Sequence, residues 1–219
     1  GTLSVLVDVN NQGQITVDAG ATLALAGGAI DGGTVTIQGT LDLAGSAVID
    51  PGTLDNTNQI NVTGSGNALH AETVTNTGAI EVLDGGALTI DQGSNVANTD
   101  GSVTIDEGGT LTLNDTSITG GAVSNDGMLD LAGLAVIDPG TLDNTNQINV
   151  TGSGNALHAE TVTNTGTIEV LDGGALTVDQ ASTVANADGS VTIDDGGTLT
   201  LNDASITGGV LTNDGTVNV

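Results

Sequence analysis

The chain contains no Lys or Arg, no Phe, Tyr or Trp, and no Cys. Each absence excludes something. Apart from two His, no side chain can offset the 27 Asp and Glu, and the formal net charge is −27. Recognition of a nucleic-acid backbone depends on Lys and Arg, so nucleic acid is excluded as a partner. An anionic membrane surface is disfavoured for the same reason. The charge admits cations, water and positively charged surfaces. Without Cys there are no disulfides and no thiolate metal sites. No apolar run is long enough to span a bilayer, so membrane insertion is not expected. No signal-peptide pattern opens the chain. Gly1-Thr2-Leu3 already reads as the middle of a strand, which leads us to expect a segment of a longer protein.

High net charge without aromatic residues is also the usual signature of disorder. The rest of the composition opposes that reading. Hydrophobic residues make up 37% of the 219 positions. They are Val, Ile, Leu and Ala, and they alternate with polar residues: Ile80 and Val82, Leu88 and Ile90, Val103 and Ile105, Leu111 and Leu113. Period two is the pattern of a strand with one face in and one face out. Gly85-Gly86, Gly108-Gly109 and Asn125-Asp126-Gly127 separate these short runs, and such residues turn a chain at low steric cost.

The sequence is repetitive. Leu41-Asp42-Leu43-Ala44-Gly45 returns as Leu129-Asp130-Leu131-Ala132-Gly133, Pro51 as Pro139 and His70 as His158, each 88 positions later. Residues 41–131 and 129–219 align without a gap and differ at roughly one position in six. The chain divides into a partial copy (1–40), a full copy (41–128), and a second full copy (129–216) running into 217–219, all within one continuous unit spanning 1–219. Within a copy, an apolar-x-Asn-x-Gly-x-apolar-x-apolar pattern starts at Val74, Val96, Val123, Leu142 and Val162, with steps of 22, 27, 19 and 20 residues. These steps predict four unequal coils per 88-residue unit and about ten coils in all.

One such coil is too thin to bury its own apolar face, but stacked coils bury it together. The expected fold is therefore all-β: a right-handed parallel β-helix, or β-solenoid. Its hand follows the general rule for parallel crossovers. Alignment of the coils sets Leu88 on Leu111 and Ile90 on Leu113. Ten coils at the strand spacing give a rod of about 48 Å. A β-sandwich also has short strands and frequent turns, but gives no reason for a register kept over 88 residues.

Runs such as Asn164-Thr165-Gly166-Thr167-Ile168-Glu169-Val170 and Gly196-Gly197-Thr198-Leu199-Thr200-Leu201 resemble the repetitive regions of large bacterial surface and secreted adhesins, of the filamentous-haemagglutinin-like and autotransporter-passenger kinds. The resemblance covers the whole chain. It implies a right-handed β-helix exported to the cell surface or the extracellular matrix, serving as a stalk, spacer or adhesive filament.

The carboxylates are the candidate chemistry. Coil alignment places Asp84 over Glu107, Asp91 over Asn114, and Asp115 near Gln92. In the second copy Asp172 lies over Asp195, and Asp179 over Asn202 beside Asp203. Like charges at about 5 Å repel by roughly 1 kcal/mol in water and about 3 at intermediate dielectric. Ca²⁺, which prefers oxygen ligands, would relieve this. The plainer reading is that these are turn and surface residues that keep the rod soluble, since no EF-hand or Gly-Gly-x-Gly-x-Asp motif is present. No cofactor is required, and Ca²⁺ is the one candidate ion. His70 and His158 are expected four coils apart, too far to share a metal, and read as repeated structural residues at a corner or on the surface.

A polysaccharide-acting β-helix enzyme ranks last. Asp pairs are the chemistry of glycoside hydrolysis, but the chain has no cation for a sugar carboxylate and no aromatic platform. Outward Thr pairs such as Thr110 and Thr112 do not persist on consecutive coils, so an ice-binding array is not expected. The leading expectation is a non-catalytic extracellular rod or biofilm-matrix module of an adhesin. The alternative is a Ca²⁺-dependent binding and self-association module. The expected partners are like copies, end to end or side by side, and a host or matrix surface.

Overall fold

The computed structural model describes all 219 residues. The chain is a parallel β-solenoid without helices. Its 33 strands follow one another as three per coil, and every third strand joins the same sheet. The result is three eleven-stranded parallel sheets, called here the first, second and third faces in chain order. There are thus eleven coils, close to the expected ten. Leu88 pairs with Leu111 and Ile90 with Leu113, as the coil alignment requires.

Alternation decides which residues enter the core. One inward ladder of the first face runs Leu3, Leu23, Leu41, Ile60, Ile80, Val103, Val123, Leu142, Val162, Val184, Ile206. From Leu23 to Val184 this ladder, with its counterparts on the other faces, belongs to a single core cluster of 43 buried residues, whereas Leu3 at the first coil is exposed. Each aliphatic side chain withdrawn from water contributes about 1.5–3 kcal/mol. Aliphatic rungs alone fill this cluster. Between rungs the backbone N–H and C=O groups bond to the coils above and below, and these bonds continue through the corners.

The structure corrects the coil count of the repeat. The strand Thr53–Asn56 lies on the third face, while its copy Thr141–Asn144 lies on the first. They are the ninth and twenty-second strands of the chain. The 88-residue unit therefore holds thirteen strands, or four coils plus one more face. The 27-residue step from Val96 to Val123 hides the extra face. The coil partner of Val96 is Ile118, whereas Val123 sits over Val103 on a different face. Each copy is thus set one face forward of its predecessor. His70 and His158 consequently lie on the second and third faces, not in line along one side.

Buried asparagines trace the same shift. On the third face an inward ladder passes from Val17 and Ile37 to Asn56 and Asn76. On the first face the change comes later, from Ile105 to Asn125, Asn144 and Asn164. On the second face Ile193 pairs with Asn213, which is exposed on the last coil. The side chains are linked head to tail. Asn56 donates to Asn76 at 2.7 Å and Asn76 to Asn98 at 2.6 Å. Asn125, Asn144 and Asn164 donate in turn to Asn144, Asn164 and Asn186 at 2.7, 2.6 and 2.6 Å. An amide has a donor end and an acceptor end, so a stack of Asn satisfies itself along its length inside a corner where one polar group alone would be costly; at the start of the second stack Asn125 Oδ1 is left without a partner.

Candidate functional site

The candidate acidic residues lie in or beside the corners, whereas Asp42, Glu81, Asp130 and Glu169 lie within strands. Asp84 occupies the turn between Ala79–Val82 on the first face and Ala87–Asp91 on the second. Its carboxylate leans on the next coil, so that a Cβ on Gly108 would stand 2.2 Å from Oδ1. Glu107 precedes that glycine. Asp172 makes the same approach to Gly196, at 2.1 Å, with Asp195 before it. In this copy the turn joins the second face to the third. The two candidate corners therefore point in different directions. Beside the first corner, Asp106, Glu107, Asp126, Thr145 and Asn146 line a shallow acidic groove. There Thr145 Oγ1 donates to Asp126 Oδ1 at 2.5 Å.

Asp91 and Asp179 belong to another set of corners. Asp179 pairs with Asn202 in the ladder, and Asp91 stands over Asn114 one residue beyond the Ile90–Leu113 rung. Their carboxylates, however, engage the opposite neighbour. Asp91 takes a short hydrogen bond from His70 Nδ1, and Asp179 takes one from His158 Nδ1 at 2.5 Å. These His are half-buried ladder residues, not free surface ones. Asp115 and Asp203 serve through their backbones. Both have φ of +51°, and the Asp115 carbonyl accepts the Gly93 N–H at 2.7 Å. No group of three or more His, Asp or Glu converges on one point.

Amide rungs separate two pairs of stacked carboxylates, whereas Asp31 and Asp50 pair directly. Asn61 stands between Asp42 and Glu81 and donates to Asp42 at 2.8 Å, while Gln59 donates to Glu81 at 3.0 Å. Asn149 and Gln147 do the same for Asp130 and Glu169, at 2.8 and 3.0 Å. An Asn or Gln rung replaces like-charge repulsion with charge-assisted hydrogen bonds.

Two carboxyl groups stand apart. Glu72 and Glu160 are each 1% exposed, and neither oxygen of either group has a hydrogen-bond partner. Each follows a His-Ala step around a corner. Each backbone N–H donates to a serine hydroxyl of the next coil, Ser94 at 2.9 Å and Ser182 at 2.8 Å. Each side chain faces the glycine of an Asp-Pro-Gly turn on the preceding coil. A Cβ at Gly52 would lie 3.4 Å from Glu72 Oε1, and one at Gly140 would lie 3.3 Å from Glu160 Oε1. Burial, with a smaller contribution from Asp50, raises the Glu72 pKa from 4.5 to about 7. Burial also raises that of Glu160 to about 7; the Gly140 N–H, nearby but short of a hydrogen bond, partly opposes the rise, and Asp138 adds to it.

Sequence reasoning passed over these two residues. The signal is the alternation itself: Glu72 lies two residues before inward Val74 and four before inward Asn76, in the same phase.

No protein-family model matches the chain, and no curated protein matches it. Among solved structures it is similar to one described as the TibC-catalyzed hyper-glycosylated TibA55-350 fragment, at 16% identity over 99% of this chain and 93% of that one, with a TM-score of 0.40. A likeness of this degree carries no argument about function.

Proposed function

We propose that the chain is a non-catalytic spacer rod in a bacterial surface or secreted adhesin, or in a biofilm-matrix fibre. The observation that supports this is the continuity of three eleven-stranded sheets around one core from end to end. Such a body resists bending because each coil is bonded to its neighbours on every face. Acidic residues in the corners keep neighbouring rods apart and soluble. Insertion of one further 88-residue copy tests the reading. Thirteen strands, four and one third coils, should lengthen the rod by about 21 Å, measured by small-angle scattering or electron microscopy. In the parent protein the insertion of three copies, which keeps the heading, should extend reach and leave adhesion intact. One inserted copy that leaves length unchanged, or three that abolish adhesion while folded, contradict the spacer role.

A second reading rests on the groove beside Asp84 and Glu107, where three carboxylates, Asp106, Glu107 and Asp126, share one concavity. In this reading Ca²⁺ held there and at the equivalent Asp172–Asp195 corner bridges neighbouring rods. Sedimentation with Ca²⁺, against Na⁺ at matched ionic strength, tests it. A rod that stays monomeric in both excludes it.

A further inference from the structure

The only two prolines in the chain, Pro51 and Pro139, both follow aspartate and precede glycine. Asp50-Pro51-Gly52 turns the chain from the second face to the third, and Asp138-Pro139-Gly140 turns it from the third face to the first. We propose that these two corners are self-cleavage sites, at which the rod hydrolyses its own Asp50–Pro51 and Asp138–Pro139 bonds with the side chains of Glu72 and Glu160 as proton donors.

Three features support this, and all occur in both copies. First, the carbonyl at the scissile bond is already polarised. Asp50 O accepts the Gly32 N–H at 3.1 Å, and Asp138 O accepts the Gly120 N–H at 3.0 Å. A fixed N–H at that oxygen stabilises the charge that develops when the carbonyl carbon is attacked. Second, the nucleophile is built in. A carboxylate is a competent nucleophile, and that of an aspartate reaches its own carbonyl carbon through a five-membered ring. Asp50 and Asp138 are half-buried on the outer side of the corner, next to inward Ile49 and Ile137. Third, a proton source lies against the same turn from inside. The Glu72 and Glu160 carboxyls pack on Gly52 and Gly140, each one peptide unit from the proline. Their only exceptional property is that they are buried without a partner.

A carboxyl with a pKa of about 7 retains its proton in mildly acidic and near-neutral solution, where a general acid is most useful. The other titratable groups at the Glu72 corner are Asp50 on the preceding coil, Asp31 stacked on Asp50 one coil earlier, where the second copy has Thr119 on Asp138, and the His70–Asp91 pair on the outer side. At the Glu160 corner they are Asp138 and the His158–Asp179 pair.

The leaving group explains the role of proline. Its nitrogen is more basic than an ordinary amide nitrogen, and with no N–H it makes no ladder bond. At the same corner position one coil earlier and one coil later, Gly32 N and Ala71 N donate to Asp50 O and Asp91 O. The reaction balances without a co-reactant other than water. An Asp50 Oδ bonds to the Asp50 carbonyl carbon. The C–N bond to Pro51 breaks, and the nitrogen takes the proton of Glu72. This leaves a cyclic anhydride and a Glu72 carboxylate. Water opens the anhydride to two carboxylates and releases two protons. One restores Glu72, and the other charges the new Pro51 amine. Each bond is cut once, so the rod remains a rod and turns over no other molecule. Ladder bonds on all three faces hold the nicked coils together.

The experiment is to hold the folded chain at pH 5.5 and 37 °C and follow it by denaturing gel and intact mass. Cleavage gives pieces 1–50, 51–138 and 139–219, the middle one being a single 88-residue unit. We expect both bonds to be cut at least tenfold faster in the folded chain than in the same chain unfolded in urea at the same pH. Glu72→Gln should slow cutting at Pro51 at least tenfold and leave cutting at Pro139 unchanged, and Glu160→Gln should do the reverse. The untouched site reports whether each variant is folded. Equal cutting in folded and unfolded chains overturns the proposal. So does an E72Q chain in which Pro51 and Pro139 are cut alike at the wild-type rate. If both variants fail to fold, the comparison of the folded and unfolded wild-type chain decides.

Discussion

The side-chain amide of Asn144 donates to the side-chain carbonyl of Asn164 at 2.6 Å, and both residues are 1% exposed or less. The bond lies within a four-residue stack, so Asn164→Ala leaves Asn144 and Asn186 facing a gap. An unmet buried polar group costs about 1–3 kcal/mol. Asn164→Ala should therefore lower the thermal midpoint, followed by far-UV circular dichroism, by roughly 2–12 °C. Asn164→Asp should be worse, because it replaces a donor with a buried charge.

Glu72 and Glu160 make stability depend on pH in an unusual direction for carboxylates. Their folded pKa of about 7 lies above the 4.5 of the free side chain. Below pH 4.5 both folded and unfolded forms hold the proton, and no penalty exists. As pH rises through 4.5 the unfolded chain loses the proton while the folded chain retains it, and stability falls. The fall ends near pH 7, after a loss on the order of 3 kcal/mol per group. The double variant Glu72→Gln, Glu160→Gln should show a shallower fall than wild type between pH 4.5 and 7 in denaturant titrations. Parallel curves would mean the two carboxyls are not buried as described.

The two copies contain a natural comparison of glycine with alanine. Gly93 has φ of +78° and nothing within 4 Å of an added Cβ, and its counterpart in the next copy is Ala181, with φ of +65°. Gly93→Ala should cost about 1 kcal/mol, the backbone penalty alone. Gly121 differs: it has φ of +70°, and an added Cβ would stand 2.1 Å from Asn98 O. Gly121→Ala should destabilise by several times as much, and hydrogen exchange should place the loss at that corner.

Salt should stabilise the rod. With no Lys or Arg, its only contacts between a basic and an acidic side chain are His70–Asp91 and His158–Asp179, so added NaCl screens repulsion and breaks almost no attraction. The thermal midpoint should rise with NaCl. A larger rise in CaCl₂ at equal ionic strength would assign specific Ca²⁺ binding to the corners at Asp84–Glu107 and Asp172–Asp195. Equal rises would make those residues surface charge.

The solenoid was legible because its signal is additive. Each apolar alternation such as Leu111 and Leu113 is weak, but dozens in register leave one architecture. The Leu88–Leu111 rung came from the same alignment. The extra face in each repeat was not legible, because an apolar-x-Asn pattern marks a strand end and does not say which corner follows. Val123 therefore looked like the successor of Val96. The site was read less well than the fold. Charge singles out exposed turns such as Asp84, while the burial of Glu72 is carried only by its phase with inward Val74 and Asn76, against the general rule that glutamate stays in water. The His70–Asp91 contact needs the spacing of neighbouring coils, 21 residues at that point, which varies along the chain.

Thirteen strands per copy has a consequence for how such a protein changes by gene duplication. Loss or gain of one copy joins strand to strand in correct register, so the altered rod still folds. It does not keep its bearing. Everything beyond the junction moves about 21 Å along the axis and swings through a third of a revolution. A change in copy number therefore re-aims as well as re-spaces whatever the rod carries, and only a change of three copies restores the original heading.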